Sequence, residues 1–462
     1  MHRFLPALSS ALSPLACALA LAGCSSVPAA APAPAPAPAQ SVPAPASAAV
    51  AVPPPQGPAE PPAPAASQPV PAAPPAASEP RKEAPQTLDA AGFHAWAAQF
   101  AATARAAGIR PETLDATLGQ ARFLPQVVQL DRSQPEYTRP PWAYLDAAVS
   151  RERVAEGRRR RRAHAAELDA AARRDGVPAS IITAIWGMES DYGRHFGNFR
   201  TVDALATLAY EGRRRAWASA ELLAALRIVD SGEFEAQALI GSWAGAMGHT
   251  QFLPSVFLAH AVDADGDGRR DIWGSIPDVI ASTASFLAHS GWTADEPWGV
   301  EVRLPEGFDY TRAELNVRQD SAFWAAEGIR SLDGHPLPPL RAASVLAPAG
   351  ARGPAVLVGG NFRALLRYNN SNNYALAVAL LAQQIDGGEG LRAPWPRELQ
   401  PLSRSEVQQL QRGLNERGME VGEADGVIGP ATRAGVRRLQ QSLRLPADGF
   451  ATRELLQRLL GP

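Results

Sequence analysis

The chain has 462 residues, with 44 Lys and Arg against 46 Asp and Glu and a formal net charge of −2. That balance gives no support to a nucleic-acid partner. Residues 88–386 are long enough to bury a large core.

The N-terminus reads as an export signal. His2 and Arg3 precede an apolar run over residues 4–22, short and proline-broken for a membrane span. It ends in Leu21-Ala22-Gly23-Cys24, which resembles a bacterial lipobox. The resemblance implies removal of residues 1–23 and acylation of the Cys24 thiol, anchoring the mature protein to a membrane through lipid chains. The other cysteine, Cys17, leaves with the signal, so no intrachain disulfide is expected. Ser25 follows the lipidated residue and, not being Asp, points to the periplasmic face of the outer membrane. Residues 24–86 are mostly Ala and Pro and predict an extended, semi-rigid tether.

Helical spacing dominates residues 87–386 and predicts helices at 93–106, 141–171, 204–210, 217–229 and 276–289. The five arginines 158–162 lie within the second of these and predict a solvated face that attracts an anionic polymer. Residues 176–193, GVPASIITAIWGMESDYG, carry a further helix. Pro178 suits its first position and Gly193 a stop just past its end. Ile181, Ile182, Ile185, Trp186 and Met188 mark its buried side. Glu189 follows Ile185 by four and Trp186 by three, so it shares that face. Burial and the helix C-terminal dipole both oppose ionisation there, which predicts a raised pKa and a general acid.

Three clusters follow. GSWAGAMGHTQF over 241–252 is rich in small residues, brings backbone close to a ligand, and offers Ser242 and Gln251 as hydrogen-bonding groups. Asp263, Asp265 and Asp267, then Gly268 and the Arg269 carbonyl, fit the start of an EF-hand-like calcium loop. Its twelfth position is Gly274 rather than a bidentate Glu, and Asp278 is the expected replacement in an enlarged loop. Residues 300–358 have short apolar runs broken by Pro and Gly and predict a small β-containing insertion. The third cluster, RYNNSNNY over 367–374, places Tyr368 and Tyr374 as a platform for sugar rings.

These clusters, in this order, resemble the lytic murein transglycosylases of the membrane-bound B type, a lysozyme-like family. The resemblance implies that Glu189 is the sole catalytic acid/base, with Ser242, Gln251, Tyr368, Tyr374 and an upstream Tyr144 at the substrate site. It maps a structural Ca2+ onto Asp263, Asp265, Asp267, the Arg269 carbonyl and Asp278, and implies no organic cofactor.

After a linker at 387–402, residues 403–462 hold helical spacing at Val407, Leu410 and Leu414 and again at Val436, Leu439 and Leu443. The turn DGVIGPAT at 425–432 is echoed by DGFAT at 448–452, so the tail reads as two related halves. DGVIGPATRAGVRRLQ resembles the peptidoglycan-binding type 1 domain. The expected fold is mainly α: a lysozyme-like catalytic domain with a small β insertion, then a three-helix C-terminal domain.

The implied reaction cleaves the bond between N-acetylmuramic acid and N-acetylglucosamine in peptidoglycan, closing a 1,6-anhydro ring on the muramic acid. Two rivals share these residues, a lysozyme-type muramidase and a non-catalytic wall-binding lipoprotein. The expected partners are murein strands and a membrane through Cys24, in a setting that admits wall-synthesis proteins.

Overall fold

Helices form where apolar spacing predicts them, in a computed structural model that describes residues 88–132, 139–400 and 402–461. Cys24, the signal before it and the Ala/Pro tether lie outside the described residues. Among the described residues, no helix is long and apolar enough to cross a membrane.

Asp89 caps the first helix, Ala90–Ala106, by accepting from the Gly92 amide at 2.7 Å. Predicted segments 204–210 and 217–229 lie within Thr201–Glu211 and Arg215–Asp230, and the third is Ile276–His289 as expected. The pattern over 141–171 is not one helix but three, Pro141–Ala148, Arg151–Ala163 and Ala165–Asp175. Val149 leaves helical geometry, and Ser150 starts the next helix by accepting from the Arg153 amide at 3.2 Å. His164, at φ −118°, makes the second break. The arginine run lies on the middle helix and is partly structural. The Arg158 guanidinium donates to the Gln384 carbonyl at 2.6 and 3.1 Å, at the C-terminal end of Asn372–Ile385, where the helix dipole favours a cation.

The helix that carries Glu189 is Ala179–Ser190, with Pro178 as its N-cap rather than its first residue. It is not one-sided, because every residue from Ala179 to Gly187 is buried. Apolar and small side chains surround it, and Thr183 returns its hydroxyl to the Ala179 carbonyl at 2.7 Å. Asn372–Ile385, Ile276–His289, Arg151–Ala163 and Ala165–Asp175 pack around it. The core therefore fixes this helix from several directions and holds its C-terminal end in place.

The β insertion is a four-stranded antiparallel sheet ordered Arg330–Ser331, Gly299–Arg303, Ala355–Val358 and Ser344–Leu346. Val300 and Val345 both pair with Leu357, and Trp324 seals one face, its indole N–H on the Ala343 carbonyl at 2.9 Å. A two-stranded ribbon pairs Phe199–Arg200 with Ile240–Gly241 and so brings the start of the GSWAGAMG loop against Gly197, a few residues past the Glu189 helix.

Residues 387–400 are held against the catalytic body. Glu301 accepts from the Arg392 and Ala393 amides, each at 2.8 Å, and Arg397 pairs with Asp146 at 2.5 Å. The tail then folds as Arg404–Glu416, Pro430–Ser442 and Arg453–Leu460 around its own core of Leu410, Leu414, Val436, Leu439 and Leu459. Ser403 and Glu406 form a reciprocal capping box at its first helix.

Candidate active site

Glu189 sits in the last turn of its helix, half-buried. Burial pushes its carboxyl up to about 7, against a smaller opposing effect from the Tyr374 hydroxyl, which donates to Glu189 Oε1. At neutral pH a large share of Glu189 therefore carries its proton. The nearest acid in sequence, Asp191, lies beyond the helix at φ 51° and pairs with Arg194 at 2.9 Å and Arg153 at 3.8 Å. Its carboxylate is committed to those cations.

Tyr374 reaches Glu189 because Ser371 caps Asn372–Ile385 and places Tyr374 in its first turn. The side chain is only 4% exposed, so its ring offers little surface to a sugar and its hydroxyl works on the carboxyl instead. Tyr368 ends the preceding helix, Gly360–Tyr368, and donates to the Thr250 carbonyl at 2.6 Å while packing edge-on against Phe286. Burial, then the neighbouring Glu189 charge, pushes both phenols well above their ordinary range. Tyr144, on Pro141–Ala148, packs against the same core.

The small-residue loop lies against this helix end. His249 stacks on Trp186, with ring centroids 6.0 Å apart. The Gln251 side-chain amide donates to the Phe196 and Gly248 carbonyls at 3.0 and 2.9 Å, which leaves its Oε1 as the acceptor it can offer a ligand. Ser242 Oγ accepts from the Ala246 amide at 3.1 Å, and its own proton remains a donor. Tyr374 meets Glu189 directly, Tyr368 bonds Thr250, and the neighbouring Gln251 bonds Phe196, while Ser242 sits at the start of the same loop against Gly197.

Two features of the site escape sequence reasoning. The Tyr374–Glu189 bond joins residues 185 apart, and no periodicity signals it. His249 is buried and held neutral by that burial, its pKa pushed down to about 4. Its place inside a glycine-rich run was the available signal.

Away from this site, Asp263, Asp265 and Asp278 bring carboxylate oxygens within 4.8 Å of one another. None of the three forms an ion pair among the described residues, so a hard dication suits the set. Asp278 lies in the first turn of Ile276–His289, and a Cβ at Gly274 would fall 2.7 Å from Asp271 Oδ2. Asp267 is not in the group; its Oδ1 accepts from the Arg269 amide at 2.8 Å, and the three grouped carboxylates accept backbone N–H groups of the same loop as well.

The transglycosylase SLT domain matches residues 92–383, and a peptidoglycan binding domain matches residues 403–459. The membrane-bound lytic murein transglycosylase B of Escherichia coli is 36% identical over 217 residues, 46% of this chain and 57% of that protein. The chain thus spans little more than half the length of that relative. SltB3 of Pseudomonas aeruginosa, solved with NAG-anhNAM-pentapeptide, is 51% identical, covering 80% of this chain and 99% of that one at a TM-score of 0.77. The lytic transglycosylase Slt35 of Escherichia coli, solved in complex with calcium, is 31% identical over 63% of this chain and 92% of its own, with a TM-score of 0.56. With the family domain over most of its length, and a half-identical relative covered almost entirely, the chain belongs to the lytic transglycosylase family.

Proposed function

We propose that this protein is a peptidoglycan lytic transglycosylase acting in cell-wall turnover and remodelling. The observation that carries the reading is Glu189, half-buried at a helix end with its carboxyl pushed up to about 7 and bonded by Tyr374, while the nearest acid in sequence is paired with arginines. Glycosidases that work through two carboxylates need a partner acid, which Asp191, committed to Arg194 and Arg153, does not supply. Glu189 donates its proton to the glycosidic oxygen between N-acetylmuramic acid and N-acetylglucosamine. The muramic N-acetyl group stabilises the positive charge at the anomeric carbon. Glu189, now a carboxylate, takes the proton from the 6-hydroxyl of the same sugar, which closes the 1,6-anhydro ring without water. Tyr374 holds Glu189 in register, Ser242 and the Gln251 Oε1 orient the N-acetyl and sugar groups, and Tyr368 and Tyr144 line the cleft. Mass spectrometry of digested murein tests this directly: products lighter by one water than hydrolytic fragments are expected, and hydrolytic products alone would make the protein a muramidase.

The calcium assignment to Asp263, Asp265, Asp278 and the Arg269 carbonyl rests on the converging carboxylates and concerns stability rather than chemistry. A ligand that binds only the folded state stabilises it by mass action. EDTA should lower the melting temperature and added Ca2+ restore it, with Asp263→Ala abolishing the response and Asp267→Ala weakening it less. An Asp263→Ala protein that still responds to calcium would place the ion elsewhere.

The remaining assignments concern address: signal 1–23, tether 24–86, catalytic domain 87–386, linker 387–402 and wall-binding domain 403–462, with Cys24 lipidated and delivered to the outer membrane. Supporting this are the lipobox-like Leu21-Ala22-Gly23-Cys24 and the wording "membrane-bound" in the name of the Escherichia coli relative. Cys24→Ser is expected to release the protein into the soluble periplasmic fraction while it still cleaves isolated murein. Retention in the membrane fraction would refute the anchor.

A further inference from the structure

The two halves of the tail build the same turn, atom for atom. In the first, the Gln411 amide donates to Asp425 Oδ1 at 2.9 Å and accepts from the Gly426 N–H at 2.9 Å, while the Val427 N–H reaches Asp425 Oδ1 at 2.8 Å. In the second, Gln440 donates to Asp448 Oδ1 at 2.6 Å and accepts from Gly449 at 2.8 Å, and the Phe450 N–H reaches Asp448 Oδ1 at 2.9 Å.

The outward oxygens differ in what they hold. Asp448 Oδ2 accepts the backbone N–H of Ala351 at 2.8 Å, so the second turn is spent on docking the tail to the catalytic body. Arg437, donating to Glu314 at 2.6 Å, supports the same contact. Both bonds made to the Asp425 side chain fall on Oδ1, and the residue is exposed, which leaves Oδ2 for an external donor. Three residues on, Ile428 is 36% exposed, whereas its counterpart Ala451 is buried at 8%. Ile428 is one of three large hydrophobic side chains exposed among the described residues. Arg404 adds a cation, its guanidinium on the Asp425 carbonyl at 3.1 and 3.3 Å.

We propose that the Asp425 turn is the murein-facing surface of the tail and that it binds the stem peptide, Asp425 Oδ2 accepting a peptide N–H as Asp448 accepts that of Ala351. The turn is Asp425-Gly426-Val427-Ile428-Gly429 and carries no aromatic ring on which a pyranose would stack. An acceptor for amide N–H groups, an aliphatic surface and a guanidinium match the amides, methyl groups and carboxylates of a stem. The proposal rests on the reading of the tail as a wall-binding module.

The test uses the full chain carrying Glu189→Gln, to prevent digestion, and its sedimentation with intact sacculi. Asp425→Asn preserves the Oδ1 bonds of the turn and replaces the outward acceptor with a donor. It should weaken binding about tenfold, the effect of losing a hydrogen bond to a charged group. Ile428→Glu changes a side chain outside the tail's core and should weaken binding comparably, while Asp448→Asn should leave it within about twofold of the parent. Free stem pentapeptide should displace the tail-dependent fraction, and stem-free glycan chains should not. Sedimentation of Asp425→Asn equal to the parent, or displacement of that fraction by glycan alone, overturns the proposal. If deleting residues 403–462 changes nothing, the wall-binding reading itself fails, a distinct result.

Discussion

Murein digested with the Glu189→Gln protein is expected to release anhydro-muropeptides at about one hundredth of the wild-type rate or less, the scale of losing a general acid. The substitution keeps the shape of the side chain, and its amide oxygen can still accept from Tyr374, so the fold should persist. The folded pKa of about 7 stands above the ordinary 4.5. The protonated form the acid step requires is present below pH 7 and is lost as pH rises through it, so wild-type kcat/KM should fall on that alkaline limb. Linkage gives the opposite sign for stability. Above pH 4.5 the unfolded chain ionises this residue freely, while the fold resists until about pH 7. Glu189 therefore destabilises the folded state progressively across that window, and Glu189→Gln should melt higher than wild type at pH 8 but not at pH 4. Near-wild-type cleavage by the variant would remove Glu189 from the mechanism. An equal loss in Asp191→Asn would restore a second carboxylate.

Much of this site was legible because each part of it is local. Glu189 follows Ile185 and Trp186 at helical spacing, and that alone placed a carboxyl against a core near a helix end. The β insertion was readable from apolar runs broken by Pro and Gly, and the tail from the Asp425 and Asp448 turns. Three things were not legible. The break at Val149 and Ser150 is invisible to periodicity, because the apolar spacing continues across it while the chain turns. The helix at 179–190 looked one-sided because its small residues carry no hydrophobic signal, yet Ala184 and Gly187 are buried by close packing. Tyr374 read as a sugar platform because sequence gives residue type and not burial; only the packing of Asn372–Ile385 against Ala179–Ser190 turns its hydroxyl to Glu189.

A methyl group at residue 197 should damage the protein as severely as any substitution outside the catalytic carboxyl. Gly197 has φ +99°, and a Cβ there would lie 2.0 Å from the Gly241 carbonyl oxygen and 2.7 Å from the Ser242 nitrogen. Both are backbone atoms in the ribbon that leads into the Ser242 loop, where Phe199 pairs with Gly241, so no side-chain rotation relieves the clash. The overpacking and the positive φ together cost about 3 kcal/mol or more. Gly197→Ala should therefore melt roughly 5 °C or more below wild type. Its effect on catalysis is separable from its effect on folding. Shifting Gly241 moves Ser242 directly, and Gln251 follows because its amide is bonded to the Phe196 carbonyl, one residue before the substitution. A displacement of that kind, assayed well below the melting transition, should lower kcat/KM about tenfold or more. Gly232 supplies the control, since it has a similar φ of +84° and a Cβ there would meet nothing within 4 Å. Gly232→Ala should carry only the conformational cost, about 1–2 kcal/mol, and keep its activity. If Gly197→Ala matches Gly232→Ala in both melting temperature and kcat/KM, the close approach of the ribbon does not position the loop.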